Sequence, residues 1–204
     1  MPLVRPCLRP LARGSCALAL VVTLAACRDK PQEISTPTMS AAAAPAVAPL
    51  VYDVPGTWTR MSDSQVSAKR ALFKVPKAGA DTEDAELTVY FFGTGSQGDP
   101  DKIFKEWFDQ FDGNAAATAE RKSFDGAAGK VDTIEVAGTY KVSLGPPVGP
   151  RKKSPMQMVK EKWRLYAAVV RTKERGNWFF KLVGPDETVQ AGKNALRTAL
   201  ETAK

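Results

Sequence analysis

Histidine is absent from this 204-residue sequence, and cysteine occurs only three times. The absence of histidine removes the commonest general base and the commonest metal ligand of proteins. Two of the cysteines, Cys7 and Cys16, precede the third, Cys27. If the chain is cut before Cys27, the mature protein can form no internal disulfide. Because histidine is absent, a Ser-His-Asp or Cys-His hydrolase is excluded. A zinc site is disfavoured because histidine and free cysteine ligands are lacking.

A hydrophobic run of transmembrane length is also missing near the start of the chain. The apolar segment 17–26 spans about ten residues, whereas a membrane-spanning helix needs about twenty. It follows three arginines and ends in small residues, and this order is typical of a secretory signal. The sequence therefore predicts export rather than a permanent transmembrane anchor.

The end of this segment, Leu24-Ala25-Ala26-Cys27, resembles the lipobox of bacterial lipoproteins. In that family the cysteine is lipidated and becomes the first mature residue. The resemblance implies a signal peptide over 1–26 and acyl chains, such as palmitate, attached at Cys27. Arg28 stands where an aspartate commonly retains proteobacterial lipoproteins in the inner membrane, so the expected location is the outer membrane, facing the periplasm. An ordinary cleaved signal is the alternative.

The net charge of the whole chain is +7, from 29 basic and 22 acidic residues. Three of the arginines lie in the leader, which leaves 26 basic and 22 acidic residues, or +4, after Ala26. A surplus this small does not require a nucleic-acid partner. It is compatible with attraction to anionic lipid headgroups or polysaccharide.

Composition divides the remaining chain into two parts. Residues 27–50 are rich in proline, alanine, serine and threonine and contain few large apolar groups, which is typical of a flexible linker. Residues 51–204 have the length of a single domain. One tryptophan falls in each of four predicted elements of that domain, which favours a single hydrophobic core over a ligand-stacking platform.

Hydrophobic periodicity predicts an α+β fold for this domain. Runs of adjacent strands favour an antiparallel sheet of about six to seven strands, and two main helices are expected to cover one or both of its faces. One helix is predicted to begin at Asp99-Pro100 and to end at Gly113, and the other to begin near Asp186. The predicted strands cover residues 57–61, 68–75, 86–92, 120–124, 130–142, 163–171 and 178–183.

Two patterns suggest catalysis or cofactor binding only superficially. Residues 93–98 match GxGxxG, but Asp99-Pro100 begins a new helix cap after the third glycine, where a dinucleotide site would place phosphate. Glu106 and Asp109 on the first helix could serve as paired carboxylates for glycoside cleavage, although a solvated helix face explains them better. No cofactor and no metal site is predicted.

The best candidate for partner binding is the basic run Arg151-Lys152-Lys153. Lys160, Lys162 and Arg164 follow it closely in sequence. These cations could contact an anionic glycan, lipid or acidic protein. A solvated edge strand guarded by lysines explains the same residues.

The segments 54–58, 69–76, 107–111 and 178–189 resemble an uncharacterised bacterial lipoprotein family. The resemblance covers nearly all of 51–204. More distantly, the order of elements is similar to that of the PsbP/Mog1-like fold, an antiparallel sheet between helices. No catalytic residue comes with it. We therefore expect a non-enzymatic envelope lipoprotein that binds or supports another component; the alternatives are an envelope-polymer hydrolase using carboxylates and a small-ligand-binding protein.

Overall fold

The computed structural model describes residues 48–62, 68–93, 98–144, 156–173 and 175–204. The predicted signal peptide, Cys27 and the predicted linker as far as residue 47 lie outside this part of the chain. The basic run Arg151-Lys152-Lys153 lies outside it as well. The expectations for those residues therefore remain predictions.

Seven strands form one antiparallel sheet in the order β1-β2-β3-β7-β6-β5-β4. The α+β class and the predicted order of three strands, a helix, four strands and a closing helix are confirmed. A short helix, α2, was not predicted. The strands are β1 Thr59–Ser62, β2 Lys69–Val75, β3 Ala85–Phe91, β4 Glu120–Gly126, β5 Gly129–Leu144, β6 Met156–Thr172 and β7 Asn177–Pro185; the helices are α1 Pro100–Phe108, α2 Ala115–Thr118 and α3 Asp186–Thr202.

The sheet buries apolar side chains on both of its faces. Because successive strand residues point to opposite faces, Phe180 and Leu182 of β7 join the cluster beneath α3, whereas Phe179 and Val183 join the cluster beneath α1. The tryptophans are divided in the same way: Trp58 and Trp178 lie on the α3 side and Trp107 on the α1 side. The expectation of a single core is therefore wrong, because a sheet covered on both faces has two apolar layers.

Helix α1 begins as its sequence predicts. The Asp99 side chain accepts a hydrogen bond from the Asp101 amide at 3.1 Å, and Pro100 occupies the first turn. The helix ends at Phe108, however, and not at Gly113. The chain after it turns to form a bridge between Phe111 and Tyr140 of β5, so Phe111 is buried by a sheet contact instead of a further helical turn.

Strand β6 begins at Met156, seven residues before the predicted start. Its first part pairs with the last part of β5, from Tyr140 opposite Lys160 to Leu144 opposite Met156. Strand β4 pairs with β5 only as far as Glu135, and β7 pairs with β6 only as far as Trp163. The outer parts of β5 and β6 therefore pair only with each other and extend past the rest of the sheet. We call residues 140–144 and 156–160 the arm.

The folded part of the chain begins no later than Leu50, which is buried in the α3-side cluster. Val51 and Lys204 exchange two backbone hydrogen bonds, of 2.8 and 2.9 Å, and thereby tie this segment to the end of the chain. The predicted boundary at residue 51 thus leaves one core residue in the linker. Among the helices of the described ranges, none has the length and apolarity needed to cross a membrane.

Candidate functional site

A polar cleft of about 310 Å³ lies between the outer strands β4 and β5 and helix α3. Strands β4 and β5 bring alternate side chains to the same face, and α3 supplies the opposing wall. We call it the Glu135 cleft, after its most buried carboxylate. Its lining residues are Glu120, Lys122, Ser123, Phe124, Thr133, Glu135, Tyr166, Lys193, Asn194 and Arg197.

Glu135 is held by two cations from two different elements. Its side chain, 9% exposed as a residue, accepts a hydrogen bond from Arg164 Nη1 at 2.5 Å and contacts Lys193 of α3. Arg164 Nε also donates to Asp186 at 2.7 Å. Burial alone would lower the pKa of Arg164, but the hydrogen bonds with Asp186 and Glu135 raise it, and the guanidinium is charged. This chain of two acids and two bases fixes the start of α3 over β5 and β6.

A second carboxylate, Glu120, lies directly opposite Glu135 in the β4–β5 register. Like charges in this position repel one another unless cations offset them. Lys122 offsets the charge of Glu120: its Nζ lies 2.6 Å from Glu120 Oε1. The hydrogen bond from Lys122 lowers the pKa of the Glu120 carboxyl. A glycosidase needs one carboxyl whose pKa is raised, so that it can donate a proton. The pKa of Glu120 is shifted in the opposite direction, which favours ionic binding.

Two hydroxyl groups complete the base of the cleft. Thr133 is buried, and its Oγ1 donates to the Lys122 carbonyl oxygen at 3.1 Å. Burial raises the pKa of Tyr166 to about 12, so its phenol is protonated at neutral pH. Lys193 Nζ lies 5.5 Å from the centroid of the Tyr166 ring. The cleft thus presents donors and acceptors of both charge signs.

The cations that follow the basic run in sequence do not come together. Lys160 pairs with Glu83 at 2.6 Å, and Arg164 turns into the Glu135 network. Lys162 is exposed, with a positive φ of 55° at the point where the β5–β6 register shifts. Only Arg151, Lys152 and Lys153 therefore remain as the predicted basic contact, and they lie between the two strands of the arm in sequence.

The arm itself exposes apolar side chains. Val159 is 53% exposed and Met158 is 36% exposed. Since Met158 lies opposite Val142 in the register, these two share one face of the arm, whereas Val159 lies on the other. Each face of the arm thus exposes one of these two apolar side chains, beside the basic sequence.

The two patterns that suggested catalysis or cofactor binding lie on helix α1 and just before it. Glu106 and Asp109 are exposed on α1, outside the Glu135 cleft, and Asp109 pairs with Lys105 at 2.7 Å. Helix α1 begins after the third glycine of GxGxxG, and β3 is antiparallel to both of its neighbours. The βαβ context of a dinucleotide site is therefore not formed at this loop.

Sequence reasoning missed a buried lysine on the opposite, α1-facing side of the sheet. Lys181 of β7 is 7% exposed, and its Nζ lies 2.6 Å from Gln110 Oε1 and 3.4 Å from the Tyr140 hydroxyl. The rings of Trp107 and Tyr140 lie with centroids 5.7 and 5.6 Å from the same atom. Burial lowers the pKa of Lys181 to about 8. The available signal was a single lysine within the apolar run of β7.

Within the described ranges, no group of three acidic or sulfur ligands is placed to hold a metal ion. In comparisons with known proteins, no family model, no curated protein and no solved structure matches the chain. The site must accordingly be interpreted from its own chemistry.

Proposed function

We propose that this protein is a lipid-anchored lipoprotein of the cell envelope whose domain is a non-enzymatic binding or accessory module. Acyl chains on Cys27 would attach it to the outer membrane, and the domain would face the periplasm. The Leu24-Ala25-Ala26-Cys27 sequence supports the attachment. The seven-stranded sheet with a main helix on each face supports the finer proposal of a PsbP/Mog1-like fold.

The observation that carries the binding proposal is the arm. Its strands pair with one another past the end of the sheet and expose Met158 and Val159. In sequence, the connection between these strands contains Arg151, Lys152 and Lys153. Apolar groups next to a positive sequence suit an anionic envelope component, either a protein with an acidic surface or an anionic glycan or lipid.

The charges of the Glu135 cleft support binding over hydrolysis. Both of its carboxylates are paired with cations, and the pKa of Glu120 is lowered, so Glu120 does not resemble the protonated acid that glycoside cleavage needs. The alternative of an envelope-polymer hydrolase would need another residue in place of Glu120.

The attachment is tested by mass spectrometry of the mature N-terminus combined with membrane fractionation. We expect a lipidated Cys27 as the first residue and recovery with the outer membrane. A soluble protein that retains residues 1–26 would contradict the proposal. The matched variant Cys27→Ser should be lost from the membrane fraction.

The basic contact is tested by replacing Arg151, Lys152 and Lys153 with glutamate and purifying the protein from detergent-solubilised membranes. We expect the variant to lose a partner that copurifies with the unaltered protein. The control makes the same charge change at three exposed lysines elsewhere, Lys102, Lys130 and Lys173. Copurification that survives in the first variant would show that the basic run is not the contact.

A further inference from the structure

The two outer strands of the sheet, β1 and β4, differ in how their free edges are protected. An unpaired edge is a template for a further strand, and proteins commonly block it with a short strand, a bulge, a proline or lysines. Strand β1 has only four residues, and its register with β2 shifts between Arg60 and Ser62. Strand β4 has seven residues, lacks proline and pairs with β5 without a shift. The edge of β4 is therefore the open one.

The backbone of β4 alternates between groups that face β5 and groups that face outward. Gly126 and Gly129 oppose each other across a two-residue turn, so they form a hydrogen-bonded pair, and such pairs recur at every second residue. The N–H and C=O groups of Arg121, Ser123 and Asp125 consequently face away from β5. No other segment of the described chain pairs with this edge. These backbone groups are thus available to a further strand.

Two of these residues carry opposite charges at the two ends of the edge. Arg121 and Asp125 are exposed, and among the residues that the structure describes neither has an ion-pair partner. The guanidinium of Arg121 lies over the ring of Phe108, with Cζ 5.4 Å from the ring centroid. Four residues of extended chain separate the two charges by about 13 Å, so they cannot pair with each other. The strand also contains as many acids as bases, so two such edges do not repel one another.

We propose that β4 pairs with β4 of a second copy of this protein, antiparallel and about a two-fold axis at Ser123. Arg121 of each copy then lies opposite Asp125 of the other, and an ion pair forms at each end of the interface. Ser123 faces Ser123 of the second copy, and the outward backbone groups of the two strands hydrogen-bond to each other. The two seven-stranded sheets join into one across this isologous contact.

The charges select this register over its neighbours. Two-fold registers centred on Lys122 or Phe124 place Ser123 opposite Arg121 or Asp125 and form neither ion pair. Registers centred on Arg121 or Asp125 place like charges opposite one another, which is unfavourable. The other face of the strand pair fits as well, because Lys122 lies opposite Phe124 of the second copy and its aliphatic stem can cover the ring. One strand from each copy makes a small interface, so we expect a reversible dimer.

The dimer is tested by oxidative cross-linking of Ser123→Cys in the full chain. Opposing residues of a hydrogen-bonded pair have Cα atoms about 5.5 Å apart, which a disulfide can span. The matched control is Thr59→Cys on the outer strand β1, and the unaltered chain gives the background from its own cysteines. The measurement is made in whichever fraction, membrane or soluble, contains the protein, so its result is separate from that of the proposed Cys27 anchor. We expect roughly tenfold more disulfide-linked dimer for Ser123→Cys than for Thr59→Cys.

Charge reversal tests the register. In the Ser123→Cys background, Arg121→Asp alone or Asp125→Arg alone places like charges opposite one another at both ends of the strand pair. Each change should therefore lower the cross-linked fraction roughly tenfold. A mixture of the two variants should restore cross-linking, because each acid of one chain then faces a base of the other. The two reversals combined in one chain should restore it as well.

Three results would overturn the inference. Cross-linking of Ser123→Cys that is no greater than that of Thr59→Cys would show that the edge of β4 is not an interface. A cross-link to a different protein would assign this edge to another partner. Cross-linking that the single charge reversals leave unchanged, or that the mixture fails to restore, would exclude the proposed pairing. Circular dichroism of each variant separates loss of pairing from loss of fold.

Discussion

Tyr140 stacks on Trp163 at the base of the arm, with ring centroids 5.2 Å apart and ring planes 7° from parallel. The pair spans the register shift between β5 and β6, where the arm leaves the sheet. The Tyr140 hydroxyl also lies 3.0 Å from Gln110 Oε1, and the Lys141 amide donates to the Gln110 carbonyl oxygen at 2.7 Å. The turn after α1 thus supports the base of the arm.

Trp163→Ala should loosen the arm while the rest of the sheet stays folded. Stacked aromatic pairs are worth about 0.5–1.5 kcal/mol beyond the area that they bury. We therefore expect the Lys141 amide to exchange its hydrogen roughly tenfold faster, as measured by hydrogen exchange with mass spectrometry. Tyr140→Phe preserves the stacked ring and should have a smaller effect. Unchanged exchange in Trp163→Ala would show that the arm is held by other contacts.

Glu135→Gln should destabilise the protein because it leaves Arg164 and Lys193 without their shared carboxylate. Removal of one partner from a buried ion pair lowers the free energy of unfolding by about 3–5 kcal/mol. Because both cations are partly exposed, we expect a smaller loss here, of about 2–3 kcal/mol. Urea unfolding measures the change in the free energy of unfolding. The control Asp109→Asn breaks the exposed pair with Lys105 and should cost less than about 1 kcal/mol. Equal losses in the two variants would contradict the structural role of the Glu135 network.

The sequence was a good guide wherever local signals and tertiary contacts agree. Asp99 and Pro100 set the start of α1, and the apolar and β-branched residues of β2, β3 and β7 defined the middle of the sheet. The predicted end of α1 was wrong. Phe111 has the helical spacing of a buried residue, but its bridge to Tyr140 buries it instead. Hydrophobic periodicity indicates that a side chain is buried but does not indicate which element buries it.

The arm and the Glu135 cleft could not be predicted from the sequence. Residues 156–162 alternate too weakly for a strand prediction, because the outer part of β6 has no second neighbour to bury it. The cleft depends on the β4–β5 register, which places Glu120 opposite Glu135, and on the packing of α3, which brings Lys193 to Glu135. Fifty-eight residues separate that last pair in the chain. No local pattern encodes such a contact.

Gly184→Ala should disrupt the pairing of β7 with β3. A Cβ atom at Gly184 would lie 2.6 Å from the Cα of Ala85, which is backbone and cannot move aside. Overpacking of this kind costs about 1–3 kcal/mol. Thermal unfolding should show a clearly lower midpoint. Gly56→Ala is the matched control, since a Cβ there meets no atom within 4 Å; a similar loss in the control would show that the close approach at Gly184 is not the cause.

Lys181→Met should stabilise the protein at neutral pH, and the gain should shrink as the pH rises. Burial lowers the pKa of Lys181 from 10.5 to about 8, so the unfolded chain binds this proton more tightly than the folded protein does. The wild-type protein is therefore penalised below pH 8, and the penalty falls between pH 8 and 10.5. From the linkage relation, the stability difference between Lys181→Met and wild type should narrow by about 2 kcal/mol between pH 7 and 9.5.

Urea unfolding of both proteins across this range tests the pH dependence. The upper limit of pH 9.5 lies below the ordinary pKa of tyrosine, so the raised pKa values of Tyr140 and Tyr166 do not enter the comparison. Lys102→Met, at a side chain that is 75% exposed, serves as the control and should show a constant difference from wild type. A constant difference for Lys181→Met as well would mean that Gln110, Tyr140 and the Trp107 ring replace the lost hydration of the ammonium group in full. In that case the cluster would stabilise the charged lysine, and the pKa of Lys181 would have to be near its ordinary value.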